Sequence, residues 1–334
     1  MNTPPPVPAA VIGLGRIASL LEDDPLREKP CTHAGAITAT TGLVLAAGAD
    51  HDPARCAAFA ARWGCPVFRD PEKMLRERHP QVVHIATHPD SHLFYAALAE
   101  KHGVPVVVCE KPLADTLAAA RRIAAIHRRG RTRIIVNHER RYSANYRRMK
   151  TLIAGGSLGK PLSVKATLYM GRSRRLLDVL WHDGTHLIDA AAFLTGGTPH
   201  YKSRTNTLLR GKTGSAFFYG TLAVEGKRAL PLAIEAGAGR DHLVFELDIS
   251  LEMGRVRIGN GIYEVWESVE SPYAQGFRAL QRRSDGFTGP TGYFTNMAAD
   301  ALGCAQDGRK APLSSAEDGL RVITFLSQIG EWRH

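Results

Sequence analysis

The run Ala9-Ala10-Val11-Ile12-Gly13-Leu14-Gly15-Arg16-Ile17-Ala18 decides the fold. It begins as a short apolar stretch of strand type and passes into a G-x-G-x-x-A loop expected to open a helix over 16–21. Without side chains, two such glycines let backbone amides approach a pyrophosphate, whose charge a helix N-terminus favours. Upstream, residues 1–8 hold four prolines and read as a loose tail. Downstream the pattern alternates. A helix is expected over 33–40, then a strand over 43–50, a helix over 53–62, a strand over 81–87 and a helix over 90–102. A strand over 104–110, a helix over 115–129 and a strand over 133–137 complete the series. Short β-branched runs separated by helical spans mean βαβ units and a doubly wound parallel sheet.

A helix over 143–153, stopped by Gly155 and Gly156, leads into a different style of sequence. Strand-like runs at 162–170, 204–210, 216–225, 229–236, 242–252 and 255–268 follow one another through turns. Helices are expected near 183–194, 293–302 and 315–329. Consecutive strands without crossovers imply a mostly antiparallel sheet. The chain is therefore expected to pair an α/β domain over 9–137 with an α+β domain over 138–334, in line with its 334 residues at roughly 150 per domain.

Composition narrows the function classes. Hydrophobic residues at 44% and charged residues at 22% mark a chain that folds, and no run approaches the roughly 18 apolar residues of a membrane span. The first residues lack the features of a secretory signal. The five cysteines, Cys31, Cys56, Cys65, Cys109 and Cys304, form no C-x-x-C pair, and a reducing cytoplasm is the expected location. The formal charge of +11 is unevenly spread: from Arg121 to Arg175 sixteen Lys and Arg face a single acid, Glu139, and the remainder carries −4. Such a block fits solvated helix faces or an anionic small molecule. Aromatic residues of the kind that stack bases are sparse in it, so neither nucleic acid nor membrane is an expected partner.

Three further motifs carry chemistry. Asp50 ends the second strand, where an acid accepts hydrogen bonds from the adenosine ribose. It lies 35 residues past Gly15, and the long 20–40 connection accounts for the spacing. A carboxylate there favours NAD over NADP, and Arg55 tempers that preference; an ordinary strand-end turn residue is the alternative. At the end of another strand stands Glu110-Lys111-Pro112, which points an ammonium into the ligand crevice of a dinucleotide fold. In the second half, Trp181-His182-Asp183-Gly184-Thr185-His186 places His182, Asp183 and His186 on one helical face, a cluster suited to acid/base work. Asp183 also suits a plain helix cap. A zinc pair at His182 and His186 lacks both the zincin glutamate and a third ligand. The four-residue recurrence of His84, His88 and His92 spans a strand, a loop and a helix start, so no metal is expected.

The segments VIGLGRIA (11–18), LAAGADHDPARCAAFA (45–60), HIATHPDSH (84–92), VVVCEKPLA (106–114), DGTHLID (183–189) and KAPLSSAEDGLRV (310–322) together resemble the Gfo/Idh/MocA oxidoreductases, which include glucose-fructose oxidoreductase and inositol dehydrogenase. Resemblance is thin between about 200 and 290. It implies a Rossmann domain followed by an open, mostly antiparallel sheet domain whose face often makes homodimers or homotetramers. It also implies NAD-linked, or NADP-linked, oxidation or reduction of a carbohydrate hydroxyl. By the same resemblance Lys111 is the catalytic lysine and His186 the acid/base histidine. Thr87, Pro89, His92 and Glu110 fall where the family lines the cofactor cleft, and with Gly13, Gly15, Arg16, Ile17, Asp50 and Lys111 of the motifs above they are the expected cofactor contacts. Where the family has an acid four residues before its histidine this chain has His182, so either Asp183 takes that role from the next position or the site has changed. Arg172, Arg174 and Arg175 are the candidate contacts to an anionic sugar. A non-catalytic NAD(P)-binding sensor of the same fold is the alternative reading.

Overall fold

The computed structural model describes residues 5–171, 174–205, 211–283, 286 and 289–330. Six strands form the first sheet: β1 (Val7–Ile12), β2 (Leu43–Ala49), β3 (Val67–Phe68), β4 (Val82–Ile85), β5 (Val106–Cys109) and β6 (Arg133–Val136). All pair in parallel, in the order β3-β2-β1-β4-β5-β6. This is the Rossmann order, and its direction reverses between β1 and β4, so a crevice opens beyond their carboxyl ends.

Local chemistry explains the helices between these strands. Asp52 and Asp70 each precede a proline and accept backbone N–H groups of the following turn, which starts helices Pro53–Trp63 and Pro71–Arg78. Thr116 caps Leu117–Arg128 in the same way, and Gly64, at φ 63°, ends the first of the three. The stretch after the glycine loop departs from expectation. Residues 16–19 are turns, followed by a 3₁₀ helix at Leu20–Asp23, and regular helix begins only at His33–Ala39. Pro25 and Pro30 interrupt helical continuation. The carboxylate of Glu22 accepts from Cys31 N–H and Thr32 Oγ1–H, folding the segment back on itself.

The second sheet comprises β7 (Pro161–Tyr169), β8 (Thr198–Arg204), β9 (Gly214–Ala223), β10 (Leu230–Ala238), β11 (Val244–Leu251), β12 (Gly254–Gly259), β13 (Ile262–Glu270) and β14 (Arg278–Arg282). Its order is β14-β13-β12-β11-β7-β10-β9-β8, antiparallel except for the β7–β10 pair. The single strand expected over 255–268 is two, because Gly261, at φ 73°, permits a reversal between β12 and β13. The run expected at 204–210 is preceded by β8, and its residues 206–210 lie outside the described residues. Strand alternation sorts the two faces of this sheet. Val164, Ala166, Leu168, Leu232, Ile234, Leu247 and Ile249 are buried, while their neighbours in sequence, such as Lys165, Glu246 and Asp248, lie on the other face.

Two compact units result, over 1–143 with 291–323 and over 144–290 with 324–334. The boundary therefore differs from a single cut at 137/138. Helix Tyr293–Gln306 returns to the first unit and lays Phe294, Met297, Ala298 and Ala301 into the same core as Val11, Val82 and Val108. Among the described residues no helix is long and apolar enough to cross a membrane, and all five cysteines are buried and unbridged.

The second sheet yields a stability test. A Cβ at Gly259 would run into the Phe245 carbonyl oxygen and lie 3.0 Å from Glu246 Cα. Gly259→Ala should therefore cost about 1–3 kcal/mol, read as a lowered urea midpoint, whereas a wild-type midpoint would show that β11 and β12 part without cost.

Candidate active site

The carboxyl ends of β1, β4 and β5 lie side by side and supply three loops. Gly13 follows β1 at φ 85°, and its N–H donates to the Ala49 carbonyl at 2.8 Å. A Cβ there would stand 2.7 Å from Thr87 Cγ2 and 2.9 Å from the Ala86 carbonyl oxygen, so position 13 admits only glycine. Gly15 faces open space: among the described residues the only atom within 4 Å of its would-be Cβ is Arg55 Nη1 at 3.9 Å. Arg16 is exposed and Ile17 half-buried. A glycine that seals the loop against β4, followed by a glycine that leaves its outer side open, is the cradle a pyrophosphate requires.

Asp50 braces this loop. Its Oδ2 accepts from Leu14 N–H at 2.8 Å and its Oδ1 from Asp52 N–H at 3.0 Å, with the side chain only 2% exposed. Arg55 Nη1 lies 3.7 Å from Asp50 Oδ2, and His51 Nδ1 is 3.3 Å from Oδ1. The acid read from the sequence as a ribose acceptor thus also holds the glycine loop in shape.

Thr87 follows β4 and accepts at Oγ1 from Ser91 Oγ–H at 2.7 Å, while Pro89 is buried. His92 opens the next helix fully buried, its Nε2 3.1 Å from the Thr87 carbonyl and its Nδ1 3.2 Å from that of Leu113. Burial holds its pKa below the usual histidine range, against the opposing pull of those carbonyls. His92 therefore ties the loop after β4 to the loop after β5 from behind. Glu110 and Lys111 form that second loop, and the Lys111–Pro112 bond is cis.

Glu110 is the centre of a buried polar group. Its Oε1 accepts from Asn137 Nδ2–H at 2.6 Å and from His33 Nε2–H at 2.9 Å. His33 Nδ1 lies 2.8 Å from His84 Nδ1, and both rings are fully buried. Burial pushes the Glu110 carboxyl up. The His33 hydrogen bond and charge, the Lys111 charge and the Asn137 hydrogen bond outweigh that and hold it below the ordinary carboxylate value. Burial, with His33 adding to it, holds His84 well below the usual histidine range. His33 and Asn137 do not stand out in the sequence, because they lie 77 and 27 residues from Glu110 and share no period with it. The His84, His88 and His92 recurrence disperses: His84 faces His33, His88 is exposed and His92 faces carbonyls.

In the second unit, helix Leu176–Val179 continues through a π-helical turn at Leu180–Gly184 into helix Thr185–Thr195. A π turn adds a residue to the helical repeat, and such turns recur at functional sites. Here it carries His182 and Asp183 and delivers His186, 8% exposed, to the first turn of the regular helix. Asp183 Oδ2 receives Arg174 Nη1–H at 2.8 Å, and Arg175 makes a two-pronged contact with Asp178 at 2.7 and 2.8 Å. Arg172 lies outside the described residues. Much of the basic block finds acids or carbonyls elsewhere in the chain. In the first unit Arg128 pairs with Glu317, Arg129 with Glu100, and Arg141 with Asp318. Among the described residues no group of three or more His, Cys, Asp or Glu is arranged to hold a metal ion.

Gly13→Ala tests the cradle. It should weaken dinucleotide binding at least tenfold in a calorimetric titration and cost about 1–3 kcal/mol of stability, because a residue at that φ is strained even before it meets Thr87. Wild-type affinity would show that the loop does not touch the ligand.

Residues 7–138 match the family model described as an oxidoreductase family with an NAD-binding Rossmann fold. An inositol 2-dehydrogenase of Saccharopolyspora erythraea is 32% identical over 164 residues, 48% of each chain. A D-apiose dehydrogenase of Paraburkholderia graminis is 27% identical over 186 residues, 51% of this chain and 49% of the relative. The chain thus spans about half the length of the curated relatives it matches. The crystal structure of an aldose-aldose oxidoreductase of Caulobacter crescentus complexed with glycerol shares the fold, with TM-score 0.76 and 17% identity over 97% of this chain and 96% of the other. The glycine cradle at the β1/β4 switch point and the matched segment give one conclusion: residues 7–138 form a Rossmann unit similar to the NAD-binding unit of the Gfo/Idh/MocA oxidoreductases.

Proposed function

We propose that the protein is an NAD(P)-dependent dehydrogenase or reductase acting on a hydroxyl-bearing carbon of a sugar or cyclitol. The observation that carries this reading is the juxtaposition of the Gly13 cradle, Thr87, and the Glu110–Lys111 strand end on three adjacent parallel strands. The names of the relatives, an inositol and an apiose dehydrogenase, support the substrate class. Gly13, Gly15, Arg16, Ile17, Asp50, Thr87, Pro89, His92, Glu110 and Lys111 form or support the dinucleotide cleft in this reading. The nicotinamide supplies the acceptor or donor of the hydride. Lys111 stabilises the negative charge that develops on the substrate oxygen, and His186 takes the hydroxyl proton in the oxidation direction and returns it in reduction. Asp183 and His182, on the π-helical turn before His186, set its electrostatic surroundings. A homodimer or homotetramer formed through the uncovered face of the second sheet belongs to the same reading.

His186→Ala should lower kcat by about 10²- to 10⁴-fold on the best substrate of a sugar and cyclitol panel, with the Kd for NAD⁺ unchanged within about threefold. Turnover at the wild-type rate would remove His186 from the chemistry. Dinucleotide binding without turnover of any panel member by the wild-type chain would instead favour the sensor reading.

An anionic group on the sugar is the finer part of the proposal and rests on Arg172, Arg174 and Arg175. Arg174 and Arg175 already hold Asp183 and Asp178, so a substrate carboxylate competes with protein carboxylates. The expected advantage of a uronate over its neutral parent in kcat/KM is accordingly small, under about tenfold. A ratio of one would take the arginines out of recognition.

A further inference from the structure

The histidine pair beneath Glu110 is unusual for its surroundings. His33 and His84 sit at 0% exposure on the face of the parallel sheet that otherwise buries Val11, Val82, Val106, Val108 and Phe294. Apolar residues of that size would pack there without desolvating any polar group, and replacing buried polar clusters by hydrophobic residues is often neutral or stabilising. The cluster is also incompletely satisfied, since His84 Nε2 is buried with no hydrogen-bond partner among the described residues. A local inconsistency of this kind points to a role outside stability.

Glu110 fixes the direction of its hydrogen bond with His33. A carboxylate only accepts, so His33 Nε2 carries the proton that faces it. Among the described residues, His92, Cys109 and Lys111 also interact electrostatically with Glu110.

Glu110 is held from three sides. Its backbone N–H donates to the Ile85 carbonyl of β4 at 3.0 Å. Its side chain accepts from Asn137 at the end of β6 and from His33 on the helix above. Lys111 follows directly, and two residues later the Leu113 carbonyl faces His92 Nδ1 at 3.2 Å. Buried histidines thus pin the chain on both sides of the lysine.

We propose that His33 is a positioning residue: by donating to Glu110 it fixes the strand end from which Lys111 departs, and so sets the placement of the ammonium at the reacting oxygen. The inference rests on the function proposed above for Lys111. Misplacement by about 1 Å can cost on the order of 10²-fold in rate. His33→Phe fills the same space without the N–H and should lower kcat by about 10- to 100-fold while the Kd for NAD⁺, measured by calorimetry, stays within about threefold. His33→Gln restores a donor at the Nε2 position and should recover kcat to within about threefold of wild type.

Wild-type kcat in His33→Phe overturns the inference, and so does an equal defect in His33→Gln, which would trace the loss to packing. Should His33→Phe fail to fold by circular dichroism, Asn137→Ala removes the second donor. Its kcat is expected to fall by about 3- to 10-fold at unchanged NAD⁺ affinity, and wild-type kcat there also overturns the inference. Absence of turnover by the wild-type chain on every panel member would fell the functional reading, and this inference with it. Turnover by the wild type with an unimpaired His33→Phe would fell the inference alone.

Discussion

The rest of the first unit depends on one close approach. At Gly13 the chain leaves β1 so near to Ala86 and Thr87 that no side chain fits between them. That contact lets β1 and β4 be neighbours with their exits touching, and the neighbour relation makes them the switch point of the sheet. On the other side of the loop, Asp50 binds the N–H of Leu14, so the two glycines sit between a wall at β4 and a brace at β2. The loop needs both, since a glycine-rich segment left to itself has too many conformations to hold amides in one direction.

A second constraint runs beneath the crevice. Fully buried parallel strands are normally apolar throughout, as β5 is in Val106–Cys109, but β4 places His84 in the middle of the layer. A lone imidazole there would be costly, and it is tolerated because His33 meets it and passes the chain of hydrogen bonds on to Glu110. The carboxylate, in turn, stays ionised below the surface because His33 and Asn137 both donate to it. Polar groups in this core are therefore arranged in sequence towards Lys111.

The basic block shows how charge in a sequence differs from charge at a site. Sixteen basic residues between 121 and 175 read as one block, yet Arg174 and Arg175 are joined to acids within nine residues of them, and Arg128, Arg129 and Arg141 to acids far along the chain. Once paired, such groups contribute little long-range field. The π-helical turn is a similar case. Spacings of three and four place His182, Asp183 and His186 on one face of a regular helix, but the inserted residue at 180–184 alters that register.

By itself the sequence determined the fold class and the placement of its main elements. Apolar periods of two and 3.6, Asp-Pro helix starts and glycine stops act over a few residues, where chain connectivity alone brings the groups together. It likewise marked Gly13, Gly15, Asp50, Lys111 and His186, whose residue types stand at strand ends or in a recognisable helix start. Short elements such as β3 and the helix Pro71–Arg78 carried too few residues to show a period against their surroundings. Only the tertiary structure decided that helix Tyr293–Gln306 packs with the first sheet, that Asp50 braces the loop, and that His33, His84 and Asn137 meet at Glu110. Those contacts join residues tens to hundreds of positions apart, and burial, which no local pattern reports, turns an unremarkable histidine into a hydrogen-bond donor held against a carboxylate.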